Sequence, residues 1–262
     1  MKAAKPLLSV VLTTHNRSEL LKRSLASVLA CKNNNYEIIL CADDDCPKTI
    51  DVARTMLRSH DSFIRIPSMR GPAQSRNIGA QVSRGKWVTF LDDDDTFSDQ
   101  HISRLLEVLP NQNSKVLYFN YVECVESRVE DDVTLMSSIY KDISDRTSAD
   151  LLVRNFIPIH AMVFSSELFF THAFDAQLQS HEDWDFLVSL ETSGVEFQWV
   201  DFGTDSVAVH IDSSASTRNK VGKIALDYLS IYRKWPSDEV VTQKARAEVL
   251  QRMGIKIDHA VL

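Results

Sequence analysis

The chain has 262 residues, of which 44% are hydrophobic and 25% are charged, and its formal net charge at pH 7 is −7. This is the composition of an ordinary globular protein, long enough for one large α/β domain or one domain with a small appendage. The acidic balance counts against a nucleic-acid-binding protein, which would show a basic stripe, and no stretch approaches the roughly 20 apolar residues that span a bilayer.

The cysteines and the N-terminal segment favour a cytoplasmic protein. The four cysteines, Cys31, Cys41, Cys46 and Cys124, lack the C-x-x-C spacing that zinc sites use, and a chain of this size needs no disulfides. The apolar run at 7–12 passes into polar residues without a cleavage site, so it is interpreted as a first strand and not as a signal peptide. Peripheral contact with the inner face of a membrane stays open.

Continuous apolar runs alternate with helical segments in the first half of the chain. After the strand at 7–12, Asn16 and Glu19 are spaced as a capping box that would begin a helix. There follow a strand at 36–41, a helix near 48–59, a strand at 63–66, a helix from the turn at 70–72 to about 83, and a strand at 86–91. This alternation indicates βαβ units and a parallel sheet covered on both faces.

Polar residues follow three of these strands and predict a ligand site. The strands end at Thr13, at Asp43 and at the run Asp92–Asp95. Ligands of open α/β sheets bind at the carboxyl ends of the strands. We therefore expect all three ends to open on the same crevice.

The second half of the chain is less regular. Its predicted elements are a strand at 115–125, an irregular polar loop at 126–146, helices at 147–154, 165–172 and 181–193, strands at 195–200 and 205–211, a Ser/Thr-rich loop at 212–219, and two helices in 221–253 separated by Trp235-Pro236. We interpret 1–220 as one domain with two halves, 1–110 and 111–220. Residues 221–262 would form a helical C-terminal extension.

The run Asp92–Asp95 is the feature most easily tied to chemistry. Four consecutive aspartates repel one another, which raises pKa values unless a cation is present. Mg²⁺ or Mn²⁺ prefers oxygen ligands and commonly binds through one or two carboxylates together with substrate phosphates. The alternative is an acidic, solvated loop, and the position of the run directly after an apolar strand favours the metal site.

Four segments together resemble glycosyltransferase family 2, whose members have the GT-A fold. The first resembles the family's opening strand, the second ends on an Asp that reads the base, the third is similar to G-x-x-x-x-R-N-x-G, and the fourth leads into the D-x-D motif. These segments lie at 9–17, 37–43, 71–79 and 85–95. The resemblance implies a GT-A, Rossmann-like, mostly parallel sheet flanked by helices. It also implies that 1–110 is the nucleotide-binding half and 111–220 the acceptor half.

The resemblance also implies a set of nucleotide-binding residues. Thr13 would line the base pocket, Asp43 would accept a hydrogen bond from a pyrimidine N–H, and Arg76 would lie near the phosphates unless it makes only a surface ion pair. The full set is Thr13, Asn16, Arg17, Asp43, Arg76, Asp92 and Asp93. Where many relatives have a short Asp-Gly-Ser turn, this chain has a more acidic loop at 43–47, so UDP, dTDP and GDP donors stay open.

Metal binding would fall to the later part of the aspartate run. The resemblance implies that Asp92 holds the ribose side and that Asp94 binds a Mn²⁺ or Mg²⁺ ion, with Asp95 as a helper. His210, at a strand end, resembles an extra metal or diphosphate ligand of some GT-A enzymes, although a lone histidine there is as often structural. The loop at 212–220 would close over the donor, or would be an ordinary surface loop.

The acceptor side is predicted around the segment at 181–185. It resembles the family's E-D at the start of a helix, so Asp183 would be the base that deprotonates the acceptor hydroxyl. The alternative is a capping box formed by Ser180 and Asp183. Glu182, Trp184 and His160 are also placed on the acceptor side, with Trp184 as an apolar platform for a sugar ring.

These residues predict an inverting glycosyltransferase that moves a sugar from a nucleoside diphosphate, UDP before others, to a hydroxyl acceptor. The acceptor would be a saccharide, a lipid-linked saccharide or a protein, in polysaccharide or glycoconjugate biosynthesis. A sugar nucleotidyltransferase or a dehydrogenase would need a glycine-rich loop after the first strand, and no glycine precedes Gly71. A nucleotide-sugar-binding protein without turnover is the remaining alternative.

Overall fold

The computed structural model describes residues 5–66, 71–129, 132–178, 180–203, 206–213 and 220–262. Its strands are β1 (Leu8–Thr14), β2 (Tyr36–Ala42), β3 (Ser62–Arg65), β4 (Trp87–Asp92), β5 (Thr96–Phe97), β6 (Val116–Tyr118), β7 (Tyr121–Val129), β8 (Asp132–Lys141), β9 (Met162–Ser165), β10 (Phe197–Trp199) and β11 (Val207–Asp212). Its α-helices are α1 (Ser18–Leu29), α2 (Pro47–Met56), α3 (Gly71–Val82), α4 (His101–Val108), α5 (Glu182–Thr192), α6 (Lys220–Lys234) and α7 (Val240–Arg252).

A seven-stranded sheet in the order β10-β6-β9-β4-β1-β2-β3 forms the centre of the molecule. β4, β1, β2 and β3 pair in parallel, and β9 runs antiparallel between β4 and β6. Every residue of β1 and β2 is buried, which explains why both read as continuous apolar runs. The predicted α/β architecture with a mostly parallel sheet flanked by helices is confirmed.

Helix α3 packs closely against β1 at Gly79. A Cβ atom at this position would lie 2.3 Å from Cγ1 of Val11 and 3.3 Å from Sγ of Cys41. Only a residue without a side chain permits this approach. The close packing fixes α3, and with it Arg76, beside the carboxyl ends of β1 and β4.

A second, four-stranded sheet in the order β5-β11-β7-β8 stands beside the first. The prediction of an irregular loop at 126–146 was wrong, because this segment forms most of the antiparallel pair β7–β8. The predicted strand at 115–125 is two strands that belong to different sheets, β6 and β7. The predicted helices at 147–154 and 165–172 are short 3-10 segments, Ser148–Leu152 and Ser166–Phe170.

The helical C-terminal segment packs on the same core as the sheet. α6 and α7 are separated at Trp235-Pro236 as the sequence indicates, and Ile231, Tyr232 and Leu250 are buried in the core cluster. The division into 1–220 and 221–262 stays a prediction. Within the described ranges, no helix is long and apolar enough to cross a membrane.

Candidate active site

The carboxyl ends of β1, β2 and β4 open on one cleft of about 580 Å³, as the sequence predicts. Its lining residues are Thr13, Thr14, His15, Arg17, Asp43, Gly71, Pro72, Ser75, Asp92, Asp93 and Asp94. Five of the predicted nucleotide-binding residues are among them. The other two, Asn16 and Arg76, are not: Asn16 has a left-handed backbone (φ 55°) in the turn after β1, and Arg76 is buried behind the cleft.

The turn at Asn16 also differs from the predicted capping box with Glu19. α1 begins after Arg17, with no side-chain capping hydrogen bond, so that prediction was wrong. Instead the backbone N–H of Asn16 donates to Oδ2 of Asp44 at 2.7 Å. The carboxylate of Asp43 accepts a hydrogen bond from the backbone N–H of Gly71 at 2.7 Å. The acidic loop after β2 therefore joins the ends of β1 and α3 around the cleft.

Asp92 is held by Arg76 and Thr13. Nη2 of Arg76 donates to both carboxylate oxygens of Asp92 at 2.9 Å, and the Thr13 hydroxyl donates to Oδ1 at 2.7 Å. Burial raises the pKa of Asp92, but the charges of Arg76 and His160 and the Thr13 hydrogen bond outweigh it and lower the pKa to about 2. Asp92 is therefore ionised and fixed in direction at the floor of the cleft.

Asp93 faces the end of β1. Its Oδ2 accepts hydrogen bonds from the Thr14 hydroxyl at 2.8 Å and from the backbone N–H of His15 at 3.2 Å. Burial, together with repulsion from Asp94 and Asp92, raises its pKa to about 6 despite the Thr14 hydrogen bond and the charge of Arg17. These contacts give Asp93 a part in shaping the cleft wall, and its predicted contact with a nucleotide stays a prediction.

Asp94 is held by two arginines in this structure. Its Oδ2 lies 3.1 Å from Nη1 of Arg17 and 3.2 Å from Nη1 of Arg128. Burial and then the charges of Asp95 and Asp92 raise the pKa of Asp94, and the arginines offset this only in part. A divalent cation would relieve this repulsion, so the aspartate run fits a metal by the chemistry of its oxygen ligands.

A group that could hold a metal ion forms around His160. Among the described residues, one ligand atom each of Asp92, Asp95 and His160 lie within 4.8 Å of one another. Nε2 of His160 is 2.9 Å from Oδ2 of Asp95. Burial lowers the pKa of His160, but Asp95 and Asp92 raise it to about 9. The structure thus places His160 against the aspartate run and not, as predicted, toward an acceptor.

His210 is not placed as a ligand partner of Asp94. Its Nδ1 lies 2.5 Å from Glu126, and its Nε2 lies 3.0 Å from the Thr96 hydroxyl. Its backbone N–H donates to Asp95 at 2.7 Å. The ring of His210 thus lies against Glu126 and Thr96, whereas that of His160 lies against Asp95, so His160 is the better placed of the two to be a nitrogen ligand at the aspartate run.

The candidate base Asp183 lies in the first turn of α5 and is joined to the donor cleft through Arg76. Nη1 of Arg76 donates to Glu182 at 2.7 Å, so one buried guanidinium links Asp92 with the start of α5. Burial by itself lowers the pKa of Arg76. The charges of Asp92, Glu182 and Asp183 outweigh this effect, so the pKa lies above its usual value. The carboxylate of Asp183 accepts hydrogen bonds from Asn155 Nδ2 at 3.3 Å and from the backbone N–H of Trp184 at 2.7 Å.

The structure rules out two interpretations of the residues around Asp183: the alternative of a capping box, and the predicted sugar platform at Trp184. The capping residue of α5 is His181, with no side-chain capping bond, so Ser180 and Asp183 do not form a capping box. Trp184 is fully buried, donates to the carbonyl of Leu151 and packs on Tyr228, so it cannot be a platform for a sugar. Consecutive helical residues point about 100° apart, and a helix that turns Asp183 outward buries its neighbour.

Three charged residues near the cleft were missed from the sequence. Arg23 Nη1 lies 2.6 Å from Oε1 of Glu126, and Arg128 reaches Asp94. Glu126 and Arg128 lie on β7, at the start of the segment 126–146 that was predicted to be an irregular loop. The strand-favouring residues Tyr121, Val122, Val125 and Val129 are the signal that could have indicated this strand. The segment 214–219, predicted to close over the donor, lies outside the described residues.

Comparison with known proteins gives a consistent result. The family model described as Glycosyl transferase family 2 matches residues 9–169. An uncharacterized glycosyltransferase of Haemophilus influenzae is 28% identical over 185 residues, which cover 70% of this chain and 62% of the relative. The UDP-Glc:α-D-GlcNAc-diphosphoundecaprenol β-1,3-glucosyltransferase WfaP of Escherichia coli is 26% identical over 115 residues, 44% of this chain and 46% of that relative. This chain thus spans between 46% and 62% of the length of these two relatives.

A solved structure supports the fold. The crystal structure of S. aureus TarS 1–349 in complex with UDP has a TM-score of 0.62 and 17% sequence identity, and the match covers 94% of this chain and 71% of that one. At this identity the likeness concerns the arrangement of the sheet and helices.

Proposed function

The chain belongs to glycosyl transferase family 2, and from this premise we propose that it is an inverting glycosyltransferase that moves a sugar from a nucleoside diphosphate to a hydroxyl acceptor. One observation carries the proposal. The cleft at the ends of β1, β2 and β4 contains the aspartate run, and Arg76 connects Asp92 in that cleft with the helix turn that bears Asp183. One buried side chain therefore links the proposed donor site with the helix turn that carries the proposed base.

We propose UDP as the nucleotide part of the donor. Asp43 lies at the end of β2 in the cleft, where its carboxylate suits a pyrimidine N–H, and Thr13 lies beside it at the end of β1. The relative WfaP carries UDP-Glc in its name, which supports a uridine nucleotide and leaves the sugar to experiment. Arg17 is half exposed at the rim, with 53% of its side chain accessible, and would meet the diphosphate.

A divalent metal, Mn²⁺ or Mg²⁺, fits the aspartate run by its oxygen ligands and by the repulsion that raises the pKa of Asp94. Asp94 would bind the ion, and Asp92, Asp95 and His160 would supply further ligands nearby. When bound, such an ion stabilises negative charge that develops on a diphosphate leaving group. Arg17 and Arg128, which contact Asp94, would then be free to turn toward phosphate oxygens.

Asp183 is the base that we propose. Its two rivals are buried and ion-paired: Glu182 with Arg76 at 2.7 Å, and Asp185 with Lys234 at 2.8 Å. Asp183 is partly exposed and accepts only two hydrogen bonds among the described contacts, so one carboxylate face can accept a proton from an acceptor hydroxyl.

The acceptor that we propose is a saccharide linked through a diphosphate to a lipid, because WfaP is named for such an acceptor. The protein would then work at the cytoplasmic face of a membrane, in polysaccharide or glycoconjugate biosynthesis.

The test is a thermal-shift panel of UDP, GDP, dTDP and CDP with and without Mn²⁺, followed by turnover of the nucleotide sugar that binds. A ligand at about 100 times its Kd stabilises the folded state by about 2.7 kcal/mol, which is a shift of about 5–10 °C for a chain of this size. Asp94→Ala should remove the metal-dependent shift. Asp99→Ala is the matched control, since Asp99 is exposed and lines a different cleft. The absence of a metal-dependent shift from all four nucleotides would contradict the proposal.

A further inference from the structure

The first turn of α5, which carries Asp183, is held in place by the C-terminal helix α6. We propose that Asp227 of α6 is a positioning residue that sets the direction of the Asp183 carboxylate. The inference rests on the proposed function, in which Asp183 is the base. It makes α6 a working part of the acceptor side and not an appendage to it, although α6 lies beyond the residues 9–169 that the family model matches.

Asp227 contacts the two residues that lead into α5. The Ser180 hydroxyl donates to Oδ2 of Asp227 at 2.5 Å. Nδ1 of His181 lies 3.4 Å from the same oxygen. One carboxylate on α6 therefore fixes the direction from which the chain enters the helix.

His181 has an unfavourable backbone conformation that such contacts must hold. Its φ is 59°, in the left-handed region that residues with a Cβ rarely adopt. A conformation of this kind persists only where surrounding contacts determine it, and it is found disproportionately at functional sites. The rings of Trp184 and Tyr228 pack on His181 from α5 and α6, with centroids 6.2 and 5.6 Å away.

The conformation of His181 is passed directly to the first turn of α5. The carbonyl of His181 accepts the hydrogen bond from the backbone N–H of Asp185 at 3.0 Å, which is the first bond of the helix. Within that turn, the backbone N–H of Trp184 donates to Oδ1 of Asp183 at 2.7 Å. If His181 left the left-handed region, this turn would rotate and carry Asp183 with it.

The other end of α6 holds the same turn from a second side. Nζ of Lys234 lies 2.8 Å from Oδ2 of Asp185, and Nε1 of Trp235 donates to Oδ1 at 2.8 Å. Asp185 is thus anchored through both oxygens, and the start of α5 is fixed to α6 at two points. Removing Asp227 releases one point and leaves the other, so the helix should stay folded while its entry loses its direction.

The decisive variants are Asp227→Ala and Asp227→Asn, assayed on UDP-glucose turnover and on UDP binding. A displacement of about 1 Å at a reacting group can reduce the rate about 100-fold, so Asp227→Ala should lower kcat by that order. The KM for the donor and the metal-dependent thermal shift with UDP should stay as in the wild-type protein. Asp227→Asn keeps an oxygen that accepts the Ser180 hydroxyl and should recover most of the rate.

Hydrogen exchange tests the positioning without turnover. In Asp227→Ala the backbone N–H of Asp185 should exchange about tenfold faster, because its bond to His181 opens more often, while the rest of α5 stays unchanged. His181→Gly, which adopts a left-handed backbone freely, should restore protection in the Asp227→Ala background. Asp258→Asn is the control: it alters the Asp258–Ala260 hydrogen bond near the end of the chain and should change neither measurement.

The outcomes separate the two proposals. Wild-type exchange at Asp185 in Asp227→Ala would overturn the positioning role. So would a joint loss of kcat, UDP binding and thermal stability that Asp227→Asn does not recover, since that marks a merely structural contact. A wild-type protein that shows no nucleotide-dependent shift would instead contradict the proposed function, whatever the exchange result.

Discussion

Most residues that line the donor cleft come from 13–17, 43 and 92–94, each at or directly after the end of a buried strand of one parallel sheet. Around Asp183 the contacts come instead from segments far apart in sequence: Asn155, the turn at 180–185, and Asp227 and Lys234 on α6. The donor half is positioned by backbone pairing, and the acceptor half by side chains that meet across the chain. The first arrangement follows from local sequence, whereas the second depends on how the whole chain packs.

The change with the largest expected effect separates the two halves. Asp183→Asn keeps the size and the hydrogen-bond acceptor of the side chain but removes its basicity, so sugar transfer should fall by about 10²–10⁴-fold. Nucleotide binding should be unchanged, because Asp183 is not among the residues that line the donor cleft. Steady-state kinetics and thermal shift with UDP give the comparison. Full transfer activity would show that Asp183 is not the base and would favour a binding protein or another carboxylate.

Arg76 contacts both halves, so its removal should impair the donor cleft and the acceptor side together. Arg76→Met leaves Asp92 and Glu182 facing each other without a counter-charge, and loss of one partner of a buried ion pair costs about 3–5 kcal/mol. Urea denaturation measures this loss. UDP binding and transfer should both decline. Lys22→Met, which removes an exposed ion pair with Glu19, should change stability by less than about 1 kcal/mol.

Gly79→Ala should affect the donor half through its scaffold alone. The added methyl group would lie 2.3 Å from Cγ1 of Val11, so the Val11 side chain or the packing of α3 on β1 must shift, and overpacking of this kind costs about 1–3 kcal/mol. Thermal or urea unfolding would measure it. If the clash with Val11 is the cause, the double variant Gly79→Ala/Val11→Ala should lose less than the sum of the two single variants.

The last effect concerns pH and a buried residue that does not line the donor cleft. His101 is fully buried among Phe97, Phe119 and Phe202, and burial lowers its pKa to about 3. Its folded pKa is below the unfolded value, so its contribution is present above about pH 6.5 and is lost as the pH falls toward 3, by at most about 1.4 kcal/mol per pH unit.

His101→Phe should therefore flatten the pH dependence of the unfolding free energy between about pH 4 and 6.5. His259→Phe, at a half-exposed histidine, is the control and should leave the slope unchanged. An unaltered slope in His101→Phe would show that His101 is not the group responsible. Measurements of UDP binding and sugar transfer at acidic pH can then be corrected for the part of the protein that is unfolded.

The difference between the halves also explains what the sequence could predict. β1 and β2 are buried throughout and β4 is buried as far as Leu91, so their apolar runs and the polar residues at their ends placed Thr13, Asp43 and Asp92 at one edge. The sequence order of a parallel sheet is enough for that. The same reasoning says nothing about the partner of a carboxylate, so the contact of Asp92 with Arg76 and that of Asp95 with His160 needed the structure.

The wrong predictions concern segments whose structure follows neither from hydrophobic periodicity nor from the order of the strands along the chain. β8 is exposed at every position from 133 to 140, β7 buries only Cys124 and Glu126, and both strands carry polar residues, so they resembled a loop. β9 has only four residues and lies between two strands that are distant in sequence. Trp184 was assigned by adjacency to Asp183, although neighbours on a helix point in different directions. The ligand role of His210 was inferred from its place at a strand end and stays a prediction, although its ring lies against Glu126 and Thr96.

The place of β9 in the sheet has a consequence for synthesis of the protein. β4 obtains its second neighbouring strand only from Met162–Ser165, which also brings Phe164 against Phe90. A nascent chain that has left the ribosome up to about residue 110 therefore has all of the donor-cleft aspartates but an open strand edge and an uncovered aromatic ring. We expect such a fragment to bind a hydrophobic dye that the full chain excludes, and to need a chaperone until β9 arrives.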